Sequence, residues 1–270
     1  LEDRLLGMEE GASSNLARST ISLTMIEAES LLLKSIGIGS ILILSGFLAR
    51  DFKIKVNYTR KLNHFALFFV PIFVDYQLNT ATFTDIDNLV VSGFLATMGL
   101  LVFWEPIRNT IPLAQLTFEG FDRPEDRPYT LVWIITQFAV GYLVIIPFAW
   151  YFGQIGLEEL VMIPILINAV GDGLAEPVGV KFGKHPYTTK GLFVDREYQR
   201  TLEGSACVWI VGLLAICLYK IHFNSTEFIV SLLLIPPIMT ITEAKSPHTW
   251  DTPFLFFSGY VSLLAICEFF

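Results

Sequence analysis

Residues 161–185 read VMIPILINAVGDGLAEPVGVKFGKH. An apolar run of membrane-helix character passes straight into glycines, two carboxylates (Asp172 and Glu176) and two lysines (Lys181 and Lys184). The apolar half assigns the chain to the bilayer, and the polar half places charge and backbone freedom at the mouth of a helix. The rest of the sequence agrees with the first part of that reading. It is 53% hydrophobic and 16% charged over 270 residues, where a soluble domain carries about 25% charge.

Apolar stretches near the span length of roughly 20 residues occur at about 31–49, 62–76, 88–104, 129–152, 157–172, 202–221, 226–242 and 254–269. The pattern predicts an all-α integral membrane protein, a polytopic bundle of about eight helices, with seven or nine also compatible. Residues 1–30 read as a polar tail or surface helix and 31–270 as one transmembrane domain. The chain begins at Leu1, not Met, and ends in EFF, which is compatible with further residues or a targeting segment at either end. Cys207, Cys217 and Cys267 sit in apolar runs without a CxxC pair, so disulfide and zinc roles are not expected. The net charge of −8 is dispersed and defines no partner; nucleic-acid binding is not expected.

Basic residues concentrate in alternate connections. Arg50, Lys53, Lys55, Arg60 and Lys61 follow the first segment, Arg108, Arg123 and Arg127 the third, and Lys181, Lys184, Lys190, Arg196 and Arg200 the fifth; Lys245 follows the seventh. With eight spans these connections share one face, which the positive-inside bias makes cytoplasmic or stromal.

Four polar segments open on that face. In GDGLAEPVGVKFGK, Asp172 and Glu176 are four apart and share a helix face if the helix continues, although Pro177 strains its preceding turn. Gly171, Gly173 and Gly179 permit close backbone approach to a ligand. Acids beside amines beside glycine suit a metal-bound phosphate, in which carboxylates hold Mg²⁺ and lysines neutralise phosphoryl oxygens. A helix-ending turn with solvated charges accounts for the same residues. In RTLEGS, Thr201 reads as an N-cap, with Glu203, Gly204 and Ser205 in the first turn, where N–H groups favour an anion. TRKLNHF carries Lys61 and His64 three apart. TEAKSPHTWDT carries Glu243, His248 and Asp251, and an acid near lipid depth such as Glu243 is a functional candidate. The third connection, containing FDRPEDRPY, reads as a rigid, self-paired loop bordering an entrance, without chemistry.

Taken in order, RKLNH, GDGLAEPVGVKFGK, RTLEGS and EAKSPHTWD resemble the polyprenol kinase group, which contains dolichol, phytol and farnesol kinases and CTP-dependent diacylglycerol kinases. The resemblance spans about residues 55–255. It implies Mg²⁺-assisted transfer of a nucleotide γ-phosphate, from CTP or ATP, to a long-chain lipid alcohol in a plastid or endoplasmic reticulum membrane. By motif, Lys61 and His64 match the first segment; Gly171, Asp172, Gly173 and Ala175 the GDxxA core; Gly183 and Lys184 the glycine-lysine; Glu203, Gly204 and Ser205 the EGS; and Glu243 and Asp251 the final acids. The implied catalytic residues are Asp172, Glu203, Glu243 and Asp251. Asp172 and Glu176 are the expected metal ligands, with Glu203 an alternative second ligand. Lys181, Lys184 and Arg200 are expected to hold phosphates. Asp251 is followed by Thr252 where the group commonly has Asn, and the stretch from His185 to Arg200 is longer than the kinase pattern. Two other readings remain open: a catalytically inactive relative within a larger membrane complex, binding lipid or pigment, and CTP-dependent cytidylyl transfer to a phospholipid.

Overall fold

The computed structural model describes residues 2–78, 80 and 86–270, with side chains from Ile26 onward. The expected tail or surface helix of residues 1–30 falls mostly on undescribed side chains. So does nearly all of the Lys/Arg-free connection at 79–85.

The chain begins with α1 (Glu2–Arg50) and α2 (Val56–Leu78), followed by α3 (Ile86–Gly99), which tightens into a 3₁₀ turn over Leu100–Phe103. Two short helices, α4 (Glu105–Arg108) and α5 (Pro112–Glu119), occupy the third connection before α6 (Thr130–Gln154). The decisive stretch forms one rod of three pieces: α7 (Met162–Leu166), a π-helical turn over Ile167–Asp172, and α8 (Gly173–Phe182). Two strands follow, β1 (Pro186–Gly191) and β2 (Val194–Thr201), and then α9 (Leu202–Leu218), α10 (Ser225–Lys245) and α11 (Asp251–Phe269).

Six helical segments among the described residues are long and apolar enough to cross a membrane: 26–50, 86–103, 130–154, 158–182, 225–245 and 251–269. The expected eight are therefore not reached by length and composition. The remaining two segments are helical, but α2 carries Arg60, Lys61, His64 and Asp75 through its 23 residues, and α9 has only 17.

The 158–182 rod runs through the middle of the bundle. Leu160, Ile163, Ile165 and Ile167 are fully buried among Val208, Ile235, Met239, Leu255 and Tyr260. Large apolar side chains on the outer faces of α1, α3, α6, α9 and α10 are exposed, as lipid-facing positions require. Local signals set the helix starts. Thr201 Oγ1 accepts from the Gly204 N–H at 3.1 Å to open α9, and Asn224 with Glu227 forms a capping box for α10.

The stretch from His185 to Arg200 departs from the all-helical expectation. It folds as an antiparallel hairpin that pairs Tyr187 with Arg200 and Lys190 with Glu197. The alternation in YTTKG and DREYQRT is all polar or aromatic, so no apolar period marks it in the sequence. Tertiary contacts hold the hairpin against the bundle. The Thr189 hydroxyl donates to the Ser246 carbonyl at 2.9 Å, the His248 N–H donates to the Lys190 carbonyl at 2.9 Å, and the Tyr198 ring stacks on His248 at 3.7 Å.

Candidate functional site

At the end of the bundle where α2, α8, the hairpin, α9, α10 and α11 meet lies a cavity of about 710 Å³. Three carboxylates converge in it from three elements. Asp172 comes from the π turn, Glu243 from the last turn of α10 and Asp251 from the first residue of α11. One oxygen from each lies within 4.8 Å of the others.

The π turn has a local cause. Inserting one residue into a helical turn opens backbone carbonyls that α geometry would use, and such turns favour functional sites. Here α2 takes up three of them. Lys61 Nζ donates to the Asp172 carbonyl at 2.7 Å and to Asp172 Oδ2 at 2.8 Å. His64 Nε2 lies 3.3 and 3.1 Å from the carbonyls of Asn168 and Ala169. Lys61 and His64 thus fasten the turn that presents Asp172.

Arg200, from β2, joins the other two acids. Its Nη1 reaches Glu243 Oε1 at 2.6 Å and also the Glu243 carbonyl, and its Nη2 reaches Asp251 Oδ2 at 3.3 Å. Burial works against the Arg200 charge, but Asp251 and Glu243 outweigh it and raise its pKa further. Ser205 Oγ donates to Glu243 Oε2 at 2.9 Å, so the Tyr187 hydroxyl, 2.6 Å away, donates to Ser205. Burial and then Glu243 hold the Tyr187 phenol above its ordinary pKa, so it keeps that proton at neutral pH.

A second ionic group forms the wall beside the acids. Glu176 accepts from Arg60 Nη2 at 2.6 Å, Arg123 Nη1 at 2.6 Å and Asn57 Nδ2 at 2.8 Å. Arg123 also donates to Asp126 Oδ2 at 2.8 Å, and its Nη2 lies 2.8 Å from His248 Nε2, which is itself 3.0 Å from Asp126 Oδ1. Burial opposes the Arg123 charge, while Glu176 and Asp126 more than restore it.

Each expected site residue therefore has a definite place. Asp172, Glu243 and Asp251 come together, with Lys61, Lys184, Gly179, Gly183, Arg200, Gly204 and Ser205 lining the same cavity. Glu176, expected as a metal ligand, lines it too, outside the group of three acids and with its carboxylate bound by two arginines and an amide. Glu203 points elsewhere and holds His185 Nδ1 at 2.7 Å. Lys181 lies over the Phe182 ring, 5.2 Å from its centroid. Gly171 packs closely against Val208 Cα and Gly173 against the Phe65 ring.

Three contributors, Asn57, Arg123 and Tyr187, are not among the expected site residues, and Arg60 enters the sequence reading only as a basic residue of TRKLNHF. Asn57, Arg60 and Lys61 are spaced i, i+3, i+4 on one face of α2, a signal that was available. Arg123 belongs to the loop to which no chemistry was assigned; its partners are 53 and 125 residues away.

The donor set fits a hard divalent cation. All three ligands are carboxylates, and each oxygen has two lone pairs, so a single bond from Lys61, Arg200 or Ser205 leaves acceptor capacity. Asp172 Oδ1 has no hydrogen-bond partner among the described residues. No family model, curated protein or solved structure matches this chain.

Proposed function

We propose that this chain is a membrane phosphotransferase, one that moves the γ-phosphoryl group of a nucleoside triphosphate onto the hydroxyl of a long-chain lipid alcohol. The observation that carries the reading is the convergence of Asp172, Glu243 and Asp251 from three elements in a cavity also lined by Lys61, Lys184 and Arg200. Buried acids grouped so closely repel one another, an arrangement suited to a cation. Mg²⁺ held there supplies charge neutralisation for phosphoryl oxygens.

The protein's own groups do the rest. Lys184, at the open end of α8, and the N–H groups at the start of α9 receive the triphosphate. Arg200 and Lys61 offset the charge that builds up on the transferred group. Asp251 or Glu243 orients the lipid hydroxyl and accepts its proton as the oxygen bonds to the γ-phosphorus and the diphosphate leaves. Transfer of this kind depends on positioning and charge, so a weak base suffices. CTP as donor, the cytoplasmic or stromal orientation and a plastid or endoplasmic reticulum membrane follow from the resemblance to polyprenol kinases and the basic connections.

The test uses purified protein in nanodiscs with γ-labelled CTP or ATP, Mg²⁺ and a panel of farnesol, phytol, dolichol and diacylglycerol. Label is expected in one lipid product, falling at least a hundredfold in Asp172→Asn. Mn²⁺ binding, followed by electron paramagnetic resonance, is expected to weaken in Glu243→Gln and to persist in folded Glu176→Gln. A folded preparation that binds Mn²⁺ but labels no lipid sinks the kinase reading. It then favours the inactive relative, for which the neutralisation of each acid by Lys61 or Arg200 also speaks. CMP retained on the lipid indicates cytidylyl transfer instead.

A further inference from the structure

Beside the acid cavity, and sharing Arg60 with it, an apolar passage lies within the bundle. Its inner part, about 160 Å³, lies between α2 and α6 under Phe103 and Phe121. Its outer part, about 330 Å³, lies among α1, α2, α3 and α6. Both are walled by Leu42, Leu67, Leu100, Phe103, Phe138 and Tyr142, so the two parts lie directly against one another. Their combined size is that of a site for one small molecule, which runs from roughly 300 to 1,000 Å³.

The inner end carries a polar group that packing does not explain. Asn63 lines it and is 4% exposed, yet among the described residues neither its amide nitrogen nor its amide oxygen has a hydrogen-bond partner. A buried amide left wholly unsatisfied is rare and marks a missing partner. His64 and Thr252 line the same end. His64 Nε2 stands 3.9 Å from Asp172 Oδ2, and the Thr252 N–H donates to Asp251 Oδ1 at 3.1 Å. The polar end of the passage therefore backs onto two of the three acids.

We infer that this passage holds the single chain of a lipid alcohol and that Asn63 receives its hydroxyl, donating through Nδ2 and accepting through Oδ1. Asn63 is then a positioning residue, and the small volume of the inner part selects one-chained alcohols over diacylglycerol. The fate of that hydroxyl rests on the phosphotransfer reading; its binding does not.

The experiment omits nucleotide and cation. Protein in nanodiscs is photolysed with a diazirine-bearing C15 isoprenoid alcohol, and adducts are mapped by peptide mass spectrometry. Competitors are the unlabelled alcohol, the matching hydrocarbon without the hydroxyl, and diacylglycerol. Adducts are expected on Leu67, Phe138 or Tyr142, with the alcohol competing at about tenfold lower concentration than the other two, the worth of one good hydrogen bond. Asn63→Leu keeps the volume, removes the unsatisfied amide and is expected to erase that tenfold gap. Leu67→Trp, which fills the passage while leaving the Asn63 amide in the sequence, is expected to remove the adducts. Adducts elsewhere, a gap that survives Asn63→Leu, or diacylglycerol competing as well as the alcohol overturns the inference. Cross-linking here without label transfer in the kinase assay refutes the phosphotransfer reading alone; label transfer with adducts elsewhere refutes the passage alone.

Discussion

Single residues at this site are decided by their partners more than by their type. Asp172 and Glu176 sit four apart on the same face, yet one joins two other acids and the other is bound by two arginines. His248 shows the same dependence. Burial, with the Arg123 guanidinium adding to it and Asp126 opposing, pushes its pKa down to about 4. Its Nε2 lies between Arg123 Nη2 at 2.8 Å and Asp126 Oδ1 at 3.0 Å, so a charged ring would face the guanidinium as well as the carboxylate. An unfolded histidine titrates near 6.5. Between the two values the unfolded chain holds a proton that the native chain refuses, so stability is full above about 6.5 and falls as the pH drops toward 4. The expected loss is up to about 3 kcal/mol. Melting curves in nanodiscs across this range should show the slope, and His248→Gln should flatten it; equal slopes in both proteins would exclude His248 as its source.

At the scale of elements, the site exists because helices approach one another closely. A Cβ on Gly204 would stand 2.6 Å from the Ala175 carbonyl oxygen, so α8 and α9 touch through backbone there. Gly204→Ala must separate them and carry Ser205 away from Glu243. It is expected to cost on the order of 1–3 kcal/mol and to weaken Mn²⁺ binding. Gly153 has open space around its Cβ position within α6, and Gly153→Ala is expected to be neutral or mildly stabilising. Comparable melting temperatures for the two variants would contradict this account of the α8–α9 contact. The hairpin belongs to this scale as well. Its strands supply Tyr187 and Arg200 to the acids, so a segment without an apolar pattern completes the cavity.

For the whole molecule, the ionisable groups fall into separate places. Most of the buried ones gather at the cavity, but Lys34 of α1 and Asp75 of α2 meet at 2.6 Å along the outer passage, with Ser30 and Thr80 donating to Asp75. A buried pair of this kind is costly to break and cheap to replace as a unit. Asp75→Leu alone is expected to lose about 3–5 kcal/mol by stranding Lys34. Combined with Lys34→Met, most of that loss should return. A double variant no more stable than the single one would show that the pair is not what joins α1 to α2 here.

The sequence by itself determined the membrane class, the segments that become helices and most of the residues around the cavity. Hydrophobic run length is a local property, and Lys61, Asp172, Lys184, Arg200, Ser205, Glu243 and Asp251 all stand at breaks in such runs. Only the tertiary structure decided how those residues divide. Asp172 and Asp251 are 79 positions apart in the chain, and the choice of Arg60 and Arg123 as partners for Glu176 spans 116 and 53. Spacing along one helix says which side chains share a face. It cannot say which charge from another element reaches that face, because pairing in a low-dielectric interior depends on distances that only packing fixes. The same reason separates Glu203, one residue before the cavity-lining Gly204, from the acids it was expected to join, and it kept the unsatisfied amide of Asn63 out of sight.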